Sequence, residues 1–143
     1  MIRNERQYRI TKSQIAKFEA ALADVTERSN SGVSARLRNL EQDALGSQLE
    51  ELREEAAEYE RLRSGRRQPV SIPSFDQLPR ALVQARIARG WSQRELADRV
   101  GLKEQQIQWY EATEYASASL KRIKKVMEAL GAELAAEMTY SHQ

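Results

Sequence analysis

The twenty residues from Ser92 to Glu111, SQRELADRVGLKEQQIQWYE, constrain this 143-residue chain more than any other stretch. Ser92 and Glu95 have the spacing of a capping box, two reciprocal hydrogen bonds that start a helix. Leu96, Ala97 and Val100 recur at helical spacing and give that helix one apolar face. Gly101 then ends it, because glycine enters the left-handed region at no steric cost. Leu102 returns the chain to the core, and Ile107 with Tyr110 marks the buried side of a second helix. The other side of that helix is Lys103, Glu104, Gln105, Gln106, Gln108 and Trp109, so it presents amides outward.

Before this pair the chain reads as helical over a long span. Residues 1–10 are polar, with Ile2, Tyr8 and Ile10 interspersed. Thr11 and Gln14 form a further capping box, flanked by Ile10 and Ile15 as a hydrophobic staple, which predicts a helix from Thr11. Ile15, Phe18, Leu22 and Val25 continue it as a heptad stripe, and Asn30-Ser31-Gly32 stops it. A longer helix is expected from about Val33 to Arg63, with Val33, Leu37, Leu40 and Ala44 on one stripe. Leu45, Leu49, Leu52, Ala56 and Tyr59 make a second stripe, rotated from the first. Gly46 sits at the change and predicts a kink or a switch of packing partner. The construction is a coiled-coil-like helical hairpin over residues 1–63. Two single-striped helices bury little alone, so this hairpin either dimerises or docks another protein.

Residues 64–74 break the periodicity with one glycine, two prolines and three serines, and read as a linker. Its Arg66 and Arg67 are solvated charges, or contacts to phosphate where the linker follows DNA. A second domain spans 75–143. Its first helix accommodates Pro79 in the opening turn, turns Leu78, Leu82, Ala85 and Ile87 inward, and ends at Gly90. Trp91 is expected to fold over the junction before Ser92. After a loop at 112–116, Ser117 is placed to cap a helix carrying Leu120, Ile123, Val126, Met127 and Leu130, which ends at Gly131. The stretch AELAAEMTY alternates Leu134, Ala136, Met138 and Tyr140 with polar or small residues, as a short strand able to pair across a dimer would, while its alanines and glutamates fit a helix equally well.

Composition narrows the chemistry. Charged residues make up 31% and aromatics 6%, a balance that favours an all-α fold. The net charge is only +2, so any surface for nucleic acid must come from local arrangement. Without cysteine there is no disulfide, thiolate metal site or thiol nucleophile. The charged opening MIRNERQYRI is unlike a signal peptide, and no apolar run has the length of a membrane span, so the expectation is a cytoplasmic protein. Enzymatic activity is not expected. The single histidine, His142, lies one residue from the end, and no nucleophile–base pair, phosphate loop or metal cluster is apparent. Glu54, Glu55 and Glu58 read as solvated helix charges. No cofactor is implied.

A glycine-hinged helix pair that exposes amides is the DNA-binding helix-turn-helix pattern. Over Leu78–Leu130, with the motif ARIARGWSQRELADRVG, the chain resembles a Cro/cI-type (XRE) domain. Leu96, Ala97, Val100, Gly101, Leu102, Ile107 and Tyr110 fall where that pattern wants them. The opening RNERQYRITKSQIAKFE resembles the leader of small bacterial regulators with such a domain behind it. The resemblance implies a five-helix, lambda-repressor-like domain that binds double-stranded DNA as a homodimer. Residues 103–111 would then be the recognition helix in the major groove. It places Gln93 on a phosphate, Gln105, Gln108 and Trp109 toward the groove, Glu104 and Gln106 beside them, and Lys103 near the backbone. Arg86 and Glu111 match a buried structural ion pair. Glu104, Trp109 and Glu114 depart from the usual polar or basic contacts, and Trp109 suits either a thymine methyl or a protein contact. The function expected is a transcriptional repressor. One setting it resembles is an antitoxin that holds its toxin partner through residues 11–63. The competing reading is a helical adaptor whose helix-turn-helix has lost DNA binding.

Overall fold

The computed structural model describes residues 1–27, 34–65 and 69–141, and among these the regular structure is entirely helical. Six α-helices follow in order: α1 (Glu5–Glu27), α2 (Ala35–Arg63), α3 (Leu78–Ala88), α4 (Gln93–Val100), α5 (Glu104–Ala112) and α6 (Leu120–Leu130). A 3-10 turn at Phe75–Gln77 leads into α3. The chain divides into two units, Met1–Arg66 and Arg67–Gln143.

The first unit is the pair α1–α2. Cross-links run from Arg63 to Glu5, from Tyr8 to Glu60, from Arg53 to Glu19 and from Gln42 to Thr26. Partner numbers fall along α2 as they rise along α1, so the helices are antiparallel. Ile15, Leu49 and Ala56 form the buried seam, with Tyr8, Phe18, Leu22 and Leu52 packed on it. At the open end the Arg63 guanidinium lies 4.8 Å from the centre of the Tyr8 ring, which sits 5.2 Å from the Tyr59 ring.

Helix α1 begins six residues earlier than the Thr11 capping box predicts. Asn4 Oδ1 accepts the Gln7 N–H at 2.8 Å, and Gln7 Oε1 accepts the Arg3 N–H at 2.9 Å. This earlier cap adds the turns that bring Tyr8 onto Tyr59, and it leaves Thr11 buried mid-helix. Ile10 is exposed, so the staple with Ile15 does not form. Helix α2 starts at a Ser34 cap and runs unbroken through Gly46. The turn Asn30-Ser31-Gly32, Val33, the Arg66–Arg67 pair and His142 lie outside the described residues.

In the second unit the 3-10 turn and α3–α6 make five helical segments. Leu78, Leu82, Leu96, Ala97, Val100, Ile107, Tyr115, Val126 and Leu130 form one core. Each large apolar side chain so enclosed contributes about 1.5–3 kcal/mol. Trp91 folds over the α3–α4 junction between two guanidiniums, Arg99 at 4.0 Å and Arg89 at 5.6 Å from its ring. Arg89 Nε also donates to Leu130 O at 2.8 Å, closing the last turn of α6. Helix α6 is capped by Ser119 rather than Ser117, since the Ser119 hydroxyl accepts the Arg122 N–H. That start leaves Leu120 exposed instead of in the core. Residues 132–140 form neither helix nor strand, and Leu134, Met138 and Tyr140 are exposed. A strand needs a neighbouring strand for its N–H and C=O groups, and the described residues contain none.

Candidate nucleic-acid interface

Helices α4 and α5 are fixed against each other by local chemistry that the sequence spells out. The Ser92 hydroxyl accepts the Glu95 N–H at 3.1 Å, and Glu95 Oε2 accepts the Ser92 N–H at 3.1 Å. Gly101 adopts φ 71°, and the Leu102 N–H reaches back to Ala97 O at 2.9 Å. Lys103 then opens α5 from an extended conformation. Lysine has no side-chain acceptor, so only half of a capping box exists here: Gln106 Oε1 accepts the Lys103 N–H at 3.1 Å.

The underside of α5 is locked by an ion pair inside the core. Arg86 on α3 donates to both carboxylate oxygens of Glu111, Nε to Oε2 at 2.7 Å and Nη2 to Oε1 at 2.9 Å. Arg86 Nη1 donates to Trp91 O at 2.7 Å. Gln93 Nε2 completes the set by donating to Glu111 Oε1 at 2.8 Å. The resemblance puts Gln93 on a phosphate; here its side chain is 6% exposed and its amide N–H is spent inward. The reason is the second lone pair of Glu111 Oε1, which a buried carboxylate cannot leave unmatched at low cost. The exposed cation in the first turn of α4 is Arg94, which the sequence reading passed over because the motif drew attention to Gln93.

With Ile107 and Glu111 buried, 100° per residue places Gln105 and Trp109 at the crest of α5, opposite Ile107. Trp109 is 62% exposed. Gln108 flanks the crest, its Nε2 at 3.5 Å from Glu104 Oε1, the outer limit of a hydrogen bond. Of the four outward amides and acids, then, Gln106 is held as a cap, Glu104 and Gln108 lean on each other, and Gln105 has no partner among the described residues. Lys103 and Glu104 sit at the amino end of α5, both exposed.

The loop after α5 holds a residue that sequence reasoning missed. Glu114 and Tyr115 take positive φ of 54° and 56°, and this double left-handed step turns Tyr115 back into the core. Its ring stacks on Tyr110 at 5.4 Å, and its N–H donates to Tyr110 O at 2.7 Å. The Tyr115 hydroxyl is buried without a hydrogen-bond partner among the described residues. Burial, aided by the nearby Glu111 carboxylate, pushes its pKa well above the ordinary 10.0. An aromatic within a loop otherwise built of small and acidic residues was the available signal.

Residues 82–136 match the helix-turn-helix family model. No curated protein and no solved structure matches the chain. The match lies within the carboxy-terminal unit and supports the resemblance to a Cro/cI-type helix-turn-helix regulator. No helix among the described residues is long and apolar enough to cross a membrane.

Proposed function

We propose that this protein is a dimeric transcriptional repressor that lays α5 in the major groove of an operator with two related half-sites. The observation that carries the reading is the crest of α5: a free amide, Gln105, beside an exposed indole, Trp109. Glutamine has the amide geometry for a bidentate contact to adenine, and an indole edge packs on a thymine methyl. Lys103 serves the phosphate backbone, and Arg94 takes the phosphate position that Gln93 gives up. Gln108 and Glu104 act as a pair at the groove wall, and Gln106 shapes the helix start rather than reading a base.

Selection of bound fragments from a random duplex pool supplies the operator. Against it, Gln105→Ala and Trp109→Ala should each weaken binding by about 1–3 kcal/mol while flattening the preference at one base pair. Lys103→Ala should weaken all sequences alike. Absence of any shift in gel mobility at low salt would leave the adaptor reading standing instead.

An antitoxin role is the second reading, and the feature favouring it is the exposed acidic ridge Glu50, Glu51 and Glu54 on α2. Such a ridge suits a basic protein partner. Co-purification with the product of an adjoining gene, lost on reversing these three charges, tests it.

A further inference from the structure

Helix α1 is sorted by charge along its length. Residues 3–17 carry Arg3, Arg6, Arg9, Lys12 and Lys17 against one acid, Glu5. Residues 18–27 carry Glu19, Asp24 and Glu27 and no cation. The acids nearest the cations are engaged by α2: Glu5 accepts from the Tyr59 hydroxyl and from Arg63, and Glu19 accepts from Arg53. Arg6, Arg9 and Lys17 are exposed, and none of their side chains has a partner among the described residues. With Ser13 they stand at i, i+3, i+7 and i+11, along one face of the helix. At 100° per residue that face points away from the buried Thr11 and Ile15. At 1.5 Å per residue the basic ridge is about 16 Å long. Arg6 lies in the first turn, where the helix dipole disfavours a cation and an anion from outside relieves it.

The antiparallel pairing puts this basic half of α1 at the end of the hairpin where the chain leaves for the second unit. Glu5 meets Arg63 there, and α2 ends at Arg63. From Arg63 to Ile72, which packs on the core of the second unit, is nine residues. Fully extended, they span at most ~30 Å. We infer that the α1 ridge is a second DNA contact, one that follows the phosphate backbone beside the operator while α5 reads the bases.

The tether favours DNA over an acidic protein as the occupant. With the helix-turn-helix unit on its operator, the neighbouring phosphates come within reach of the ridge at high effective concentration. The charge on α2 agrees. Exposed Glu50 and Glu54 point away from the Leu49–Ala56 seam, on the side of the hairpin opposite the ridge, so phosphate is drawn to α1 and repelled from α2. A line of cations carries no base code, so the contact adds affinity for any flanking sequence. The inference rests on the DNA-binding reading above and gives it a second surface.

The test uses the full chain and two duplexes. One ends at the selected operator; the other extends it on both sides by about 15 base pairs of arbitrary sequence, enough at about 3.4 Å each to cover tether and ridge. Wild-type chain should bind the long duplex more tightly. The ratio of the two affinities should fall by roughly fortyfold between about 50 and 200 mM salt, since three phosphate contacts each contribute a slope of about −0.9. The variant carrying Arg6→Gln, Arg9→Gln and Lys17→Gln should lose the difference between duplexes and bind the short one as before. A control, Arg36→Gln with Arg61→Gln, removes cations from α2 instead and should keep the difference. Circular dichroism checks that each variant retains its helices. Equal binding of both duplexes by wild-type chain, the result expected of a ridge meant for an acidic protein, overturns the inference and leaves the repressor reading intact. So does a ridge variant that keeps the advantage, or a control that loses it, which would make the effect one of net charge. Failure to bind either duplex overturns the repressor reading, and the inference with it.

Discussion

At the scale of single residues, the second unit concentrates its risk in two buried polar groups. Arg86 and Glu111 are enclosed together and satisfied by hydrogen bonds to each other, from Gln93 and to Trp91 O. Replacing one partner strands the other charge. Arg86→Met should cost about 3–5 kcal/mol in urea unfolding of this unit, although methionine fits the stem of the arginine well. Tyr115 is the opposite case, because its hydroxyl has no partner to lose. Tyr115→Phe keeps the ring on Tyr110 and removes an unpaired polar atom, so it should leave stability unchanged or raise it by about 1 kcal/mol. The same residue sets an alkaline limit. Its folded pKa is raised above the ordinary 10.0, so the unfolded chain gives up the proton first. Stability is therefore whole below pH 10 and falls as pH rises beyond it; a pH series of urea melts should show that fall reduced in Tyr115→Phe.

At the scale of elements, α2 offers a direct substitution. Gly46 is mid-helix, and a Cβ built there meets nothing within 4 Å. Gly46→Ala should stabilise the first unit by about 0.5–1 kcal/mol, visible as a higher melting temperature of the helical signal. Gly131 fails the same exchange, since it has φ +67° and a Cβ would lie 2.3 Å from Arg89 Nη2. The contrast shows what a sequence discloses. Both glycines looked like punctuation, yet Gly46 stays helical inside α2, while Gly131 takes the left-handed conformation and ends α6. The α4–α5 pair was legible throughout, as its cap, hinge and apolar spacing are all local. The start of α1 was misread because Thr11–Gln14 matched a local template, while the cap that won, Asn4 with Gln7, is favoured by a distant contact between Tyr8 and Tyr59. Gln93, expected on a phosphate, faces inward for a related reason. Its inward turn depends on Glu111, eighteen residues on, whose second acceptor only the folded core reveals.

At the scale of the whole molecule, two units with separate cores should not melt as one. Both tryptophans, Trp91 and Trp109, belong to the second unit, and the first has none. Tryptophan emission therefore follows the helix-turn-helix unit alone, whereas far-ultraviolet dichroism is dominated by the 23 and 29 residues of α1 and α2. Thermal unfolding of the full chain should give two midpoints that differ between the probes, which a two-state molecule cannot do. Operator DNA separates them further. A ligand that binds only the folded form stabilises what it touches, by about 2.7 kcal/mol at a hundred times its dissociation constant. The emission midpoint should rise with added DNA, while the dichroism midpoint moves much less. The effect of DNA should shrink as salt increases, because the phosphate contacts proposed for Arg94 and Lys103 would displace counterions. Coincident midpoints that DNA raises together would instead mean that the two units are energetically one, with α2 and the reading helix coupled through the linker.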